Sequence, residues 1–309
     1  MKLLAKLEQR RLLIVSGKGG VGRTTIAALL GSALAARGRK VLVATTGHDD
    51  RLAWMLGADR LEDTPTPVTP TLDIQRLVPE TCVEEYGVLI TKSQRLSNAV
   101  FGNKVVRRLL RAIPGLDDFA ILGKVWHEAI RAQSYDTIVF DGPASGHLRL
   151  VLGVPQALLG TLKEGPLLAE AAAMRDSLQD PELCAAVLVG LPERWPLTEL
   201  GELATALRRE IGMGAGTLVV NKLWPKLDAL PEAASEQGPV PEMLGVVETM
   251  ASRGREQRQV VGTWLDERGR LDEDLVTVPW WPWGLDEPGA LRELMAVIEA
   301  GGDTADARR

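Results

Sequence analysis

The sequence predicts an α/β fold: a doubly wound, mostly parallel sheet with helical insertions. The first sign is a set of short, continuously apolar runs ended by turn residues, beginning with Leu12-Leu13-Ile14-Val15 and Val41-Leu42-Val43-Ala44. Such runs suit strands buried on both faces of a parallel sheet. The second is the helix-forming stretch 26–37 between those two runs, closed by Arg37-Gly38. Strand, helix and strand within roughly thirty residues form a βαβ unit, right-handed in nearly all proteins. The third is a long span, 79–133, whose apolar residues recur at three- and four-residue spacing and break the strand pattern.

Taken in order, strands are expected at 12–15, 41–44, 72–78, 135–141, 185–191, 216–221 and 275–280. The Pro- and Thr-rich segment 57–71 reads as a surface loop. Helical spacing predicts helices over 84–100, 104–113 and 117–131, broken at Pro114-Gly115, and over 155–175, 198–211, 241–268 and 289–300. The tail 301–309 reads as disordered. With neither a repeat nor a clear linker, residues 1–300 are expected to form a single domain with helical insertions near 79–133 and 155–180.

Composition narrows the classes. The chain has 309 residues, 45% of them apolar and 25% charged, which is ordinary for a globular protein and enough for a large core. A net charge of −5 without a basic tail or face argues against nucleic acid as a partner. The cysteines, Cys82 and Cys184, stand far apart and the three histidines are scattered, so neither a disulfide framework nor a structural zinc site is expected. The start lacks a signal-peptide core and no apolar run is long enough to span a membrane, so a cytoplasmic location is the expectation.

The chemistry gathers at Ser16-Gly17-Lys18-Gly19-Gly20-Val21-Gly22-Arg23-Thr24-Thr25, between the first strand and the first helix. Glycines let backbone N–H groups turn inward around phosphate oxygens, and a helix N-terminus adds partial positive charge. Gly19, Gly20, Val21, Gly22, Arg23, Thr24 and Thr25 are therefore the candidate phosphate binders of a P-loop NTPase. Thr24 stands where the loop hydroxyl holds Mg²⁺, and Asp141, ending the 135–141 strand, stands where a second Mg²⁺-supporting residue belongs. The penultimate basic position, lysine in G-x-x-x-x-G-K-[ST], is Arg23, while an early lysine, Lys18, is present.

That loop resembles the deviant Walker A loop of the SIMIBI ATPases, among them ParA, MinD, nitrogenase iron protein and ArsA/Get3. Asp141-Gly142-Pro143-Ala144-Ser145-Gly146-His147 is similar to the switch II segment of the ArsA/Get3 branch, and Val219-Val220-Asn221-Lys222 to its adenine-recognising strand end. Val278-Pro279-Trp280 falls where that branch has its second adenine-side loop. The resemblance implies ATP and Mg²⁺ as ligands and a nucleotide-switched homodimer, or a heterodimer with a paralogous ATPase. It implies that the amides of Gly20, Val21 and Gly22 hold the β-phosphate, that Thr24 binds Mg²⁺ and that Asp141 supports the ion through water. It makes Lys18 the lysine that reaches the partner's nucleotide, so that Lys18, Arg23 and Asp141 are the catalytic candidates. Asn221 and Pro279 fall on the adenine side, Asn221 having a strand-end cap as its plainer reading. His147 belongs to switch II or is a packed structural residue.

Two departures bear on hydrolysis. The fork-shaped guanidinium of Arg23 does not reproduce the pose of a lysine ammonium. Thr45-Thr46-Gly47-His48-Asp49-Asp50-Arg51-Leu52 places Gly47 where the branch has the aspartate that positions the attacking water, with Asp49 and Asp50 as substitutes. The leading expectation is an ArsA/Get3-like ATP-binding protein with weak, Mg²⁺-dependent hydrolysis. The alternatives are a non-hydrolysing subunit paired with an active paralogue, and a ParA/MinD-type positioning protein, for which the tail supplies no basic or amphipathic anchor. Trp280, Trp281 and Trp283 are read as core or loop packing, or else as stacking near the base or filling a dimer contact, and helices around 158–174 as core packing or a groove for a hydrophobic or protein client.

Overall fold

A computed structural model describes residues 4, 6–91, 116–161, 163–164, 166–224, 226, 241–269, 273–285 and 288–299. Its centre is one eight-stranded sheet. The strands are β1 (Leu12–Gly17), β2 (Val41–Thr45), β3 (Thr66–Thr69), β4 (Leu72–Arg76), β5 (Thr137–Ala144), β6 (Cys184–Gly190), β7 (Ala215–Leu223) and β8 (Asp274–Pro279). In space they run β3-β4-β2-β5-β1-β6-β7-β8, and every pairing is parallel except β3 with β4. β1 thus lies between β5 and β6, with β2 on one side of the sheet and β7 on the other. At this reversal of strand order the carboxyl ends open a crevice, where ligands of doubly wound sheets bind.

Successive side chains of a strand face opposite sides, and β1 divides accordingly. Leu13 and Val15 join the core beneath α1 (Arg23–Ala35), α2 (Arg51–Leu56) and the last described helix, α9 (Pro288–Glu299). Leu12 and Ile14 join the other core, under α3 (Pro79–Thr91), α4 (Leu116–Trp126), α5 (Ser145–Thr161), α6 (Pro166–Gln179), α7 (Arg194–Ala206) and α8 (Pro241–Arg268). Trp126, Phe119 and Phe140 are the largest fully buried side chains there. α4 and α7 each close in a wider turn of π type, His127–Arg131 and Leu207–Ile211.

The seven expected strands are all present, with small shifts at their ends. Three elements depart from the sequence reading. Within the supposed loop 57–71, Thr66–Thr69 forms an antiparallel edge strand, where Pro67 is tolerated because an edge leaves one side of the backbone free of partners. α2 is a single short helix closed by Gly57 at φ 93°, too brief for periodicity to reveal. The helix expected from residue 155 is two helices, and the first starts at Ser145, directly off β5, with Pro155 buried inside it. The expected helix 104–113, the end of 84–100 and the tail 301–309 lie outside the described residues. Among the described residues no helix is long and apolar enough to cross a membrane.

Candidate functional site

β1 delivers the glycine-rich loop to the crevice and α1 starts immediately after it. Gly20 and Gly22 take φ of 83° and 95°, a left-handed backbone that glycine adopts without steric cost, and Gly22 caps α1. A Cβ on Gly19 or Gly20 would meet open space, so this side of the loop is free to receive a ligand. A Cβ on Gly22 would lie 2.3 Å from Asn221 Nδ2. The crowding is functional packing, because the buried Asn221 side chain donates from Nδ2 to the Val21 carbonyl at 2.8 Å. Its Oδ1 accepts the Lys222 amide, and Lys222 Nζ donates to the Gly20 carbonyl at 3.2 Å. The end of β7 therefore clasps the loop at two carbonyls. No acidic residue of α1 itself occupies its first turn.

Opposite the loop, Asp141 ends the apolar run of β5 and is buried. Its Oδ2 accepts from Thr24 Oγ1 at 2.7 Å and from Thr45 Oγ1 at 3.0 Å. Burial pushes its carboxyl above the usual range, against the opposing effects of these two hydroxyls and the Arg23 charge; the charge of Asp49 pushes it up further. A desolvated carboxylate beside a hydroxyl is a hard-oxygen donor set of the kind Mg²⁺ accepts. Arg23 is half-buried and donates from Nη1 to the carbonyl of Gly142, the residue after Asp141. Thr45 went unnoticed in the sequence reading. It ends β2 in register with Asp141 on β5, a neighbourhood that only the strand order reveals.

The two substitutes for the missing aspartate separate. Asp50 is engaged, with Oδ1 accepting from the Leu61 amide at 2.9 Å and from Arg76 Nη2 at 3.0 Å. Asp49 is exposed, accepts the nearby Arg51 amide on Oδ1 at 3.3 Å, and lines a cavity of about 430 Å³. Gly20, Gly22, Arg23, Thr24, Thr25, Asn221 and Pro279 converge on the same cavity, joined by Trp280 and Trp281. Trp280 stacks on Trp224 at 4.4 Å between centroids and 2° between planes, and Arg253 lies 5.4 Å over the Trp224 ring. Trp283 is 81% exposed.

Other candidates stand apart. Lys18 Nζ pairs with Glu199 Oε1 on α7 at 2.8 Å. His147 sits half-exposed on α5 and bonds Asp118 of α4 at 2.9 Å, so it is a surface link between helices and not a packed core residue. Of the leucine- and alanine-rich helices near 158–174, Ala171 and Met174 are buried in the core, with Leu158 and Leu167 packed against it.

The sequence pattern of the anion-transporting ATPases matches residues 10–164, a span that includes both the glycine-rich loop and Asp141. The chain belongs to this family. It is 30% identical to the arsenical pump-driving ATPase of Escherichia coli over 69% of this chain and 35% of that one. A Halobacterium salinarum protein provisionally given the same name is 27% identical over 89% of this chain and 48% of its own. An ATPase ASNA1 homolog of Entamoeba histolytica is 24% identical over 77% and 84%. The chain thus spans about half or less of the two arsenical-pump relatives but most of the ASNA1 homolog. This membership fits the ArsA/Get3 resemblance carried by the two loops, and the α/β sheet is that of a P-loop NTPase-like anion-transporting ATPase.

Proposed function

We propose that this chain binds Mg²⁺-ATP in the cavity beside the glycine-rich loop and hydrolyses it slowly, as a nucleotide-switched dimer. The observation that carries the reading is the Thr24–Asp141 hydroxyl–carboxylate pair set directly against an open-sided glycine loop at a helix N-terminus. The amides of residues 19–25 hold the phosphates, and Thr24 and Asp141 hold the metal, which supplies charge neutralisation at the phosphate oxygens. Pro279, with the Trp280–Trp281 turn, receives the base, and Asn221, bonded to Val21 and Lys222, holds the loop at the adenine side. Asp49, the exposed carboxylate of the 47–50 turn, which also accepts the Arg51 amide on Oδ1, orients the attacking water in place of Gly47. Lys18 serves the nucleotide of a partner subunit, identical or paralogous, and exchanges Glu199 for it on pairing. The helical side, reached through β5 and α5, carries the response to a client.

One observation favours a second reading, a nucleotide-binding subunit without useful turnover. Arg23 spends at least one N–H on the Gly142 carbonyl, where a loop lysine would be free for phosphate.

A Mg²⁺-ATP titration followed by tryptophan fluorescence, with phosphate release measured in parallel, tests both. We expect binding by the wild type, slow release, release about tenfold faster in Arg23→Lys, and loss of release with retained binding in Asp49→Asn. No binding at millimolar ATP overturns the site. Binding with no release from the wild type or Arg23→Lys leaves the second reading standing and removes the first.

A further inference from the structure

Resting on that reading of the site, we propose that Thr45 is a positioning residue that holds Asp141 for the metal and joins it to the 47–50 turn. Thr45 closes β2 and is buried, with 4% of its surface exposed. Its hydroxyl has one proton and two lone pairs, and the protein uses both functions. Oγ1 donates to Asp141 Oδ2 at 3.0 Å and accepts the Gly47 amide at 3.0 Å. One oxygen therefore stands between the metal-supporting carboxylate and the backbone of the turn that carries Asp49.

The two hydroxyls on Asp141 have different futures. Both bond Oδ2, but Thr24 belongs to the loop hydroxyl position that ligates a metal, and a ligating hydroxyl turns its oxygen toward the ion. Thr45 has no such second task. It is the side-chain donor left to fix the carboxylate once the metal is loaded, the part that outer-shell partners play at metal sites. Hydrogen bonds in series polarise one another, so a change in charge at Asp141 alters the hold of Thr45 on Gly47. The joint also lies close to the residue at 47. A Cβ there would lie 3.3 Å from Thr45 Oγ1, a tight contact that glycine avoids.

The test compares Thr45→Val, which keeps the shape and removes the hydroxyl, with Thr45→Ser, which restores it. ATP affinity is measured in Mg²⁺ and in EDTA, with the Mg²⁺ concentration for half-saturation of ATP-bound protein. We expect Thr45→Val to raise that Mg²⁺ concentration by about tenfold or more while ATP affinity in EDTA stays within about twofold, and Thr45→Ser to behave as wild type. An unchanged Mg²⁺ requirement in Thr45→Val, an equal loss in EDTA, or no recovery in Thr45→Ser overturns the role. A measurement on the wild type needs no variant to fold: the Gly47 amide should change its hydrogen-exchange rate when Mg²⁺ is added to the ATP-bound protein, and constancy overturns the joint. Failure of the wild type to bind ATP at all is a different result and removes the nucleotide site itself.

Discussion

At the end of the apolar run of β5, Asp141 is buried at a cost to the stability of the fold. Its carboxyl is raised by burial, so the folded chain binds that proton more tightly than the unfolded chain does. As pH rises from the ordinary carboxylate range through the raised value, the unfolded state gains the advantage, and the fold stays less stable above it. Removing the charge removes the penalty. Asp141→Asn is expected to melt at a higher temperature than wild type in EDTA at neutral pH, and the difference should vanish in acid; an equal or lower melting temperature contradicts the assignment. Legibility at this scale was uneven. Asp141 and Thr24 announced themselves by position, one at a strand end and one after a glycine loop. Thr45 did not, because a threonine at a strand end means little until β5 is known to lie beside β2. Arg23 was legible as an oddity, but its bond to Gly142 was not, since nothing in the letters says which carbonyl lies within reach.

The clasp at the end of β7 belongs to the scale of elements. The sequence points Asn221 to the base or to a strand-end cap, and the structure bonds it to the Val21 carbonyl of the glycine-rich loop itself. Its loss should therefore loosen the loop for any polyphosphate. Asn221→Ala is expected to weaken ATP and inorganic tripolyphosphate alike, by about tenfold for a buried hydrogen-bonded amide. Isothermal titration with both ligands decides it, and a loss confined to ATP would return Asn221 to the base alone. Apolar runs located all seven expected strands because burial on both faces leaves a continuous signal. β3 escaped because an edge strand of four residues, half of them exposed, carries no such signal. The early start of α5 escaped for another reason: Ser145 and Gly146 look like turn residues, and Pro155 looks like a first helical residue, so local preference pointed ten residues too late.

Across the whole molecule, the two faces of the sheet divide the labour. α1, α2 and α9 cover one face and share the cavity with the loop, while α3 to α8 cover the other. Both cysteines, Cys82 on α3 and Cys184 on β6, are buried in the core beneath this second layer. Burial pushes the Cys82 thiol up to about 11 and the Cys184 thiol up to about 12, so neither offers the thiolate that a soft metalloid requires. Arsenite is accordingly expected to leave ATP binding and turnover unchanged, and a thiol reagent to label the native protein far more slowly than the denatured one. Stimulation by arsenite in a turnover assay would contradict this. The division was legible in outline, since the helical insertion announced itself by its spacing, but not the side of the sheet each helix would take.

The direct passage from β5 into α5 also makes a lever. Asp141 lies in the strand, Ser145 already begins the helix, and Arg23 grips the carbonyl between them. α5 has 17 residues, an arm of roughly 25 Å with Pro155 inside it. Pivoted near Ser145, a tilt of about 5° would carry the far end at Thr161 through roughly 2 Å, the size of the helix shifts by which packed interfaces rearrange. An adjustment too small to disturb the phosphate loop would thus arrive at the opposite end of the arm already magnified.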